Sequence, residues 1–199
     1  RRAAHKCSDV IYSKLTGELP FFDSRIAYIA ETGPKGKRVK RLAIMDSDGA
    51  NHRFITNGQS TALTPRFSPN YKSILYLSYQ DGNPRIYVYD IDNGKQRLIT
   101  ASKNPTFAPR WSPDGQTILY SMAVAGNTDI YRVPVAGGAS QKLTDGPGID
   151  VGGSYSPDGS RIVFESDRSG SQQIYVMNAD GSNQRRISFF GGRAATPEW

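Results

Sequence analysis

The sequence predicts an all-β fold built from a repeated unit of 44 residues, because two markers recur with that spacing. The first marker is an aromatic residue, which stands at Phe67, Trp111, Tyr155 and Trp199. The second is a hydroxyl-bearing residue, which stands at Thr56, Thr100, Thr144 and Ser188. A period of about 40–45 residues is typical of a four-stranded propeller blade. The two markers together predict a β-propeller of four-stranded antiparallel blades.

Each unit carries its turn and strand signals in the same order. The aromatic residue is followed by a Ser-Pro-Asp-Gly or Ser-Pro-Asn turn, in which Pro and Gly have the backbone angles that tight turns need. The second strand of each unit is then predicted to start near residues 26, 74, 118 and 162. A hairpin dipeptide such as Asp-Gly or Asn-Gly follows the third strand. A β-sandwich also has short strands and frequent turns, but nothing in that fold requires a fixed sequence period.

Tyrosines recur at equivalent positions of the units. We expect them to pack between blades rather than to stack on a ligand, because aromatic side chains contribute large apolar area to cores. They are Tyr76, Tyr87, Tyr120, Tyr131 and Tyr175.

The two ends of the chain depart from the repeat. Residues 1–24 are predicted to form a short helix and a linker, with Gly17 as the helix stop. The helical spacing is carried by Val10, Ile11, Lys14 and Leu15. Residues 25–199 are predicted to be the propeller, and Thr196–Trp199 begins a fifth unit. This segment could complete the first unit and close a four-bladed ring, or it could be the start of a further blade that is cut off. Its abrupt end favours the second interpretation.

Charge and hydropathy argue against nucleic-acid binding and membrane insertion. The formal net charge is +7, from 25 basic and 18 acidic residues. The excess is concentrated on one predicted hairpin, at Lys35, Lys37, Arg38, Lys40 and Arg41. A nucleic-acid binder would more often spread basic and aromatic residues over its repeats, so a solvated hairpin is favoured. No stretch approaches the roughly 20 apolar residues that cross a bilayer.

The residue inventory does not indicate catalysis or a metal site. His5 and His52 are the only histidines, and neither is predicted to lie in a cleft beside a nucleophile. Cys7 is the only cysteine, which excludes an intrachain disulfide; we expect it to be buried on the helix. The segment Asp46-Ser-Asp48-Gly49 has its glycine at the wrong position for a calcium loop and is predicted to be a hairpin. We therefore predict no catalytic residue, no metal and no cofactor.

The junction from His5 to Tyr28 resembles the boundary between the two domains of the TolB family. Members of this family are periplasmic components of the Tol-Pal envelope system of Gram-negative bacteria. The matching residues are His5-Lys-Cys-Ser-Asp-Val-Ile-Tyr-Ser-Lys-Leu-Thr-Gly17 and Arg25-Ile-Ala-Tyr28. The segments Ser-Pro-Asp-Gly, Ile-Tyr-Val-Met and Asn-Ala-Asp-Gly-Ser are similar to its propeller units. The resemblance implies a six-bladed propeller, of which about four blades are present, and makes residues 1–24 the C-terminal helix and linker of a preceding α/β domain.

The same resemblance implies a non-enzymatic periplasmic scaffold that binds the peptidoglycan-associated lipoprotein Pal and supports outer-membrane integrity and cell division. The family's TolA-binding segment lies outside this sequence, so no TolA contact is assigned. The Pal face is built in the family from loops that lead into the innermost strands. The matching residues predicted to bind the partner are Thr61, Thr64, Asn104, Pro105, Phe107, Ala108, Ile149, Asp150, Val151 and Arg193. Among them, Pro105 and Val151 stand where polar residues are expected.

Two other functions stay open on the sequence. The repeats also resemble the propellers of serine peptidases of the prolyl-oligopeptidase type, whose hydrolase domain would then be missing. A Gly-x-Ser-x-Gly segment beyond Trp199 would favour that alternative. A carbohydrate- or peptidoglycan-binding propeller is the third possibility, and no specific residue pattern indicates it.

Overall fold

The computed structural model of the protein describes residues 2–199. In this range one helix precedes fifteen strands, which form four antiparallel sheets. The chain divides into two compact units, the first ending at Ala62 and the second spanning Leu63–Trp199. No helix of the described residues is both long and apolar enough to span a bilayer.

The first unit contains the helix and a three-stranded sheet. The helix α1 covers Arg2–Thr16 and ends where the sequence predicts, because Gly17 has φ +74° and donates its amide to the Ser13 carbonyl at 3.0 Å. Arg1, the first residue of the predicted segment 1–24, lies outside the described residues. The strands are β1 (Arg25–Thr32), β2 (Val39–Asp46) and β3 (Arg53–Phe54), in that order in the sheet.

The helix is tied to the segment that follows it. The Asp9 carboxylate accepts the amides of Phe22 and Asp23 at 2.7 and 3.0 Å. Cys7 lies on α1 as predicted, but it is exposed, so the expectation that it is buried was wrong. The reason is that α1 has no buried residue within the described part of the chain, and its apolar side chains therefore give Cys7 no core to join.

The basic segment forms the predicted hairpin between β1 and β2. Arg38 Nη1 and Lys40 Nζ lie 2.7 and 2.9 Å from the two carboxylate oxygens of Glu31. These two ion pairs hold the pKa of the Glu31 carboxyl below its usual value. Part of the positive excess is therefore compensated within the hairpin.

The second unit contains three four-stranded sheets, each with its strands in chain order. We refer to β1–β3 as blade one and to the next three sheets as blades two, three and four. Blade two consists of β4 (Ala62–Phe67), β5 (Ser73–Asp81), β6 (Asn83–Asp90) and β7 (Gln96–Leu98). Blade three consists of β8 (Thr106–Trp111), β9 (Thr117–Val124), β10 (Asn127–Pro134) and β11 (Gln141–Lys142). Blade four consists of β12 (Asp150–Tyr155), β13 (Arg161–Ser166), β14 (Gln173–Asn178) and β15 (Arg185–Arg186).

These sheets confirm the predicted fold class of all-β, propeller-type, four-stranded antiparallel blades preceded by a short helix. Within the described residues blade one has no innermost strand, and the sequence before β1 contains no Ser-Pro-Asp-Gly or Ser-Pro-Asn turn. Apolar cores lie between consecutive blades of the second unit. Tyr120 belongs to the cluster between blades two and three, and Tyr175 to the cluster between blades three and four. These two tyrosines therefore pack between blades, as the sequence predicts.

In blades three and four, the hydroxyl of the marker residue accepts a backbone amide of the third strand. Thr144 Oγ1 accepts the Ile130 amide at 3.0 Å, and Ser188 Oγ accepts the Ile174 amide at 2.8 Å. The hydroxyl thus replaces a ladder acceptor where the short fourth strand stops, since buried amides need a partner. Thr100 is the exception in the second unit, because its Oγ1 is buried without a hydrogen-bond partner.

The Ser-Pro-Asp-Gly turns are also held by side chains. In blade four, Ser156 Oγ accepts the Arg161 amide at 3.0 Å and donates to Asp158 Oδ1 at 2.6 Å. Asp158 Oδ1 in turn accepts the Ser160 amide at 3.0 Å. The turn therefore links β12 to β13 through two side chains, which explains why its residue types recur.

Candidate protein-binding site

The innermost strands share one backbone feature near their start, next to the loops that lead into them (the leading loops). A residue with positive φ recurs every 44 residues, at Thr64 (+48°), Ala108 (+50°), Gly152 (+68°) and Thr196 (+52°). In β8 the pairing with β9 shifts between Phe107 and Arg110, and in β12 the pairing with β13 shifts between Val151 and Ser154. Such irregularities re-aim the strand next to them. A non-glycine residue in this conformation costs about 1–3 kcal/mol and is found most often at functional sites.

In blade two, the predicted residues fall on either side of the division between the compact units. Thr61 is an exposed residue of the first unit. Thr64 belongs to the second unit, where it is exposed and carries the positive φ of β4. The eight other predicted residues also lie in the second unit.

In blade three, the predicted loop residues are half-buried and tied to their surroundings. The Asn104 amide donates to Ser102 Oγ at 3.1 Å, and the Pro105 carbonyl accepts the Ala123 amide at 3.0 Å. Phe107 packs against the core between blades two and three. Ala108 is half-buried, so this loop offers a partner mainly backbone and small side chains.

In blade four, the predicted residues have different environments. Ile149 is 42% exposed, and its amide donates to Asp167 Oδ1 at 2.7 Å. Asp150 is 1% exposed and accepts a hydrogen bond from Arg168 Nη2 at 2.6 Å. Val151 is half-buried and pairs with Glu165. Ile149 is therefore the apolar side chain that this loop presents outward, whereas Asp150 holds the loop in place.

The last predicted loop, residues 193–196, lies against blade four. The Thr196 amide donates to Glu165 Oε2 at 3.0 Å, and the Ala194 amide donates to the Gln172 carbonyl at 2.9 Å. Arg193 is exposed. The backbone of this loop is therefore anchored to blade four, and the exposed Arg193 side chain is accessible to a partner.

Sequence reasoning missed Arg168, which organises this end of blade four. Besides Asp150, its guanidinium contacts Ser166 Oγ at 2.9 Å and Gln184 Oε1 at 2.6 Å. Its Cζ lies 5.1 Å from the centroid of the Tyr175 ring. The segment Ser-Asp-Arg after β13 resembles an ordinary polar turn, so the sequence carries no signal that would single out this arginine.

The two histidines contact a carboxylate and aromatic rings. His5 Nε2 is 3.3 Å from Asp48 Oδ2, and the His52 ring packs edge-on to Phe54 with centroids 4.9 Å apart. Within residues 2–199, no three His, Cys, Asp or Glu side chains are grouped closely enough to hold a metal ion. The exposed side chains among the predicted residues are Thr61, Thr64, Ile149 and Arg193.

Comparisons with known proteins agree with the fold. A family model described as the TolB beta propeller domain matches residues 12–199. Two relatives named Tol-Pal system protein TolB, from Novosphingobium aromaticivorans (TolB 1) and Sphingopyxis alaskensis, are 80% and 73% identical over 88 residues. Those residues make up 44% of this chain and 20% and 19% of the relatives. The aligned part thus spans about a fifth of their length.

Solved structures extend the likeness to the whole chain. The crystal structure of TolB from Acinetobacter baumannii is 34% identical with a TM-score of 0.82, and the match covers 100% of this chain and 50% of that one. A puromycin hydrolase, 16% identical with a TM-score of 0.73, matches over 88% of this chain and 31% of its own. At that identity the likeness shows the propeller fold alone. With its family model matched from residue 12 to the last residue, the chain belongs to the TolB β-propeller family.

Proposed function

We propose that the protein is a non-enzymatic periplasmic scaffold of the Tol-Pal system that binds a Pal-like peptidoglycan-associated lipoprotein. Its contribution to outer-membrane integrity and cell division would follow from that contact. The system is supported by the names of the relatives, and the lipoprotein by the resemblance of the loops to the family's Pal face. The proposal involves no chemical step.

The observation that carries the proposal is the repeated positive φ beside the leading loops, at the third residue of the innermost strands. Thr64, Ala108 and Thr196 keep this conformation although none of them is glycine. Strain of this kind persists only where the surroundings enforce it. This conformation recurs at the same position of consecutive units. The backbone therefore has the same local shape in each unit, at the end of the blade where the innermost strand begins.

The side chains of these loops suit a protein partner. Ile149 and Arg193 are exposed on blade four and the loop after it. An exposed aliphatic side chain together with an exposed arginine is a common combination at protein interfaces, where arginine is enriched. Asp150 is expected to support the interface from within, since its carboxylate is buried on Arg168.

A calorimetric titration of the protein against a Pal-like lipoprotein without its lipid tests the proposal. We expect binding at micromolar concentration or tighter, and Ile149→Glu should weaken it about tenfold or more, because it puts an unpaired charge into the interface. Ile187→Glu is the matched control, since Ile187 is 44% exposed on blade four outside the loops. No binding by the unaltered protein, or equal loss in both variants, would refute the proposal.

A peptidase propeller is not favoured by any particular observation. The likeness to puromycin hydrolase rests on 16% identity, which is a likeness of fold. The titration separates the two functions, because a peptidase propeller has no reason to bind the lipoprotein.

A further inference from the structure

The far ends of the innermost strands enclose a second candidate site. A pocket of about 330 Å³ lies where β4, β8 and β12 end, within Leu63–Trp199. The leading loops lie at the other end of the same strands; Thr106 and Arg110 of β8, for example, are about 13 Å apart along an extended chain. Residues that line the pocket include Arg66, Arg110, Trp111, Tyr155, Glu198 and Trp199.

All three charged side chains of the lining come from one repeat position, immediately before the aromatic marker. This position is Arg66 in blade two, Arg110 in blade three, Ser154 in blade four and Glu198 in the following segment. These equivalent positions belong to different blades, but they all line the same pocket. The pocket therefore brings together two guanidinium groups with a single carboxylate.

The two arginines are not paired with carboxylates, and Arg110 has one donor without a partner. Neither forms an ion pair with a carboxylate of the described residues 2–199. Arg110 Nε is buried and donates to no acceptor, although Nη1 reaches the Pro109 carbonyl at 3.3 Å. Burial and the neighbouring Arg66 charge lower the pKa of Arg110, and Glu198 opposes this only in part. A bound anion would offset the repulsion between the two cations.

Aromatic and proline side chains form much of the remaining lining, together with Ser112 and Ser156. Trp111 Nε1 donates to the Arg66 carbonyl at 3.3 Å, which ties the indole ring to the neighbouring blade. The Trp199 ring lies 4.9 Å below the Arg161 guanidinium. Large apolar walls with a few converging polar groups are typical of sites for organic ligands, and the volume exceeds that of a single inorganic anion.

We propose that this pocket binds a carboxylate side chain of an acidic peptide segment, held by the guanidinium groups of Arg66 and Arg110 and flanked by the indole rings of Trp111 and Trp199. Arginine is suited to this contact because its planar fork matches a carboxylate. The aromatic walls take up the aliphatic part of the peptide. The site is separate from the leading loops and would serve a second partner or a second segment of the same one.

Tryptophan fluorescence of the purified protein can test this proposal directly, because the sequence contains two tryptophans and both line the pocket. The probe is the blocked peptide acetyl-Ala-Glu-Glu-Ala-amide, and acetyl-Ala-Gln-Gln-Ala-amide is its neutral match. We expect a saturable change with the acidic peptide that weakens as salt is added, and none with the neutral one. An equal change with both peptides would overturn the proposal.

Two variants locate the binding. Arg110→Gln and Arg66→Gln should each weaken the acidic peptide about tenfold or more, since each removes one charge-assisted contact. Arg185→Gln is the matched control, because Arg185 is exposed on β15 away from the pocket. If Arg110→Gln does not fold, as judged by circular dichroism, the exposed Arg66 still provides the test.

Equal weakening by Arg185→Gln would indicate attraction to the overall charge and overturn the site. Inorganic phosphate is titrated in parallel; saturation by phosphate at lower concentration than by the peptide would assign the pocket to an inorganic anion and overturn the peptide. Because Ile149→Glu leaves the pocket intact, retained peptide binding in that variant separates this site from the lipoprotein face.

Discussion

Arg168 Nη2 lies 2.6 Å from Asp150 Oδ2, and this ion pair joins the first residue of β12 to the turn after β13. The side chain of Asp150 is 1% exposed and that of Arg168 is 25% exposed. A charge that is buried this fully needs its partner, since desolvation alone strongly disfavours the ionised form. The pair therefore determines where one of the predicted partner-binding loops lies.

We expect Arg168→Met to destabilise the protein by about 3–5 kcal/mol, because it leaves the Asp150 carboxylate buried without a partner. The measurement is urea-induced unfolding followed by circular dichroism. Arg185→Met removes the same charge from an exposed outer-strand position and should change the free energy of unfolding by no more than about 0.5 kcal/mol. Similar effects of the two substitutions would show that the buried pair has no special role.

The hydroxyl marker allows a test between two equivalent positions of the repeat. Thr144→Val removes the acceptor of the Ile130 amide and should cost about 1–3 kcal/mol, since the amide stays buried and unpaired. Thr100 is equally buried, at 1% exposure, but its hydroxyl has no partner, so Thr100→Val should be neutral or stabilising. Thermal unfolding of both variants checks this; a larger loss for Thr100→Val would contradict the assignment of the hydroxyl bond.

The fold could be predicted from the sequence because its main determinants are local and repeated. The turn residues Ser156 and Asp158 and the marker Thr144 each bond to backbone within 14 residues. Because each of these contacts is made within one unit, every unit needs the same residue types at the same positions. A fixed period of those types is therefore sufficient to identify blades before any contact is known.

The candidate sites could be predicted only in part, because they depend on contacts between distant segments. Asp150 is one of the residues that the sequence predicts to bind the partner. In the structure its carboxylate is buried against the Arg168 guanidinium, and nothing local in the sequence indicates this contact. The positive φ of Ala108 lies within a register shift between β8 and β9, which composition does not reveal. Cys7 was expected to be buried, and that would have required a partner surface for α1.

The turn of blade four should make stability depend on pH. Hydrogen bonds from the Ser156 hydroxyl and from the amide and hydroxyl of Ser160 lower the pKa of Asp158 to about 2. Because this folded-state pKa is below the usual value of about 4, the stabilisation is complete above pH 4 and disappears as the pH falls towards 2. Asp158→Ala should therefore be less stable than the unaltered protein at neutral pH, and the difference should narrow in acid.

The equivalent turn of blade two supplies the control for that measurement. Asn70 Oδ1 accepts hydrogen bonds from Ser68 Oγ and the Lys72 amide, at 2.8 and 3.1 Å, but an amide does not titrate. Asn70→Ala should thus lower stability by an amount that stays constant between pH 2 and 7. Urea titrations across this range compare the two variants, and a parallel pH dependence in both would rule out the Asp158 carboxylate as its source.

Two hairpin glycines, each between the third and fourth strands of its blade, should tolerate a methyl group very differently. Gly137 has φ +104°, and a Cβ there would meet no atom within 4 Å, so Gly137→Ala should cost only the roughly 1–2 kcal/mol of the left-handed conformation. Gly181 has φ +93°, and its Cβ would stand 2.6 Å from the Leu143 carbonyl oxygen of blade three. Relief requires movement of backbone, which adds about 1–3 kcal/mol of overpacking. Unfolding free energies from urea titration should therefore fall clearly further for Gly181→Ala; equal losses would mean that the two blades separate there without penalty.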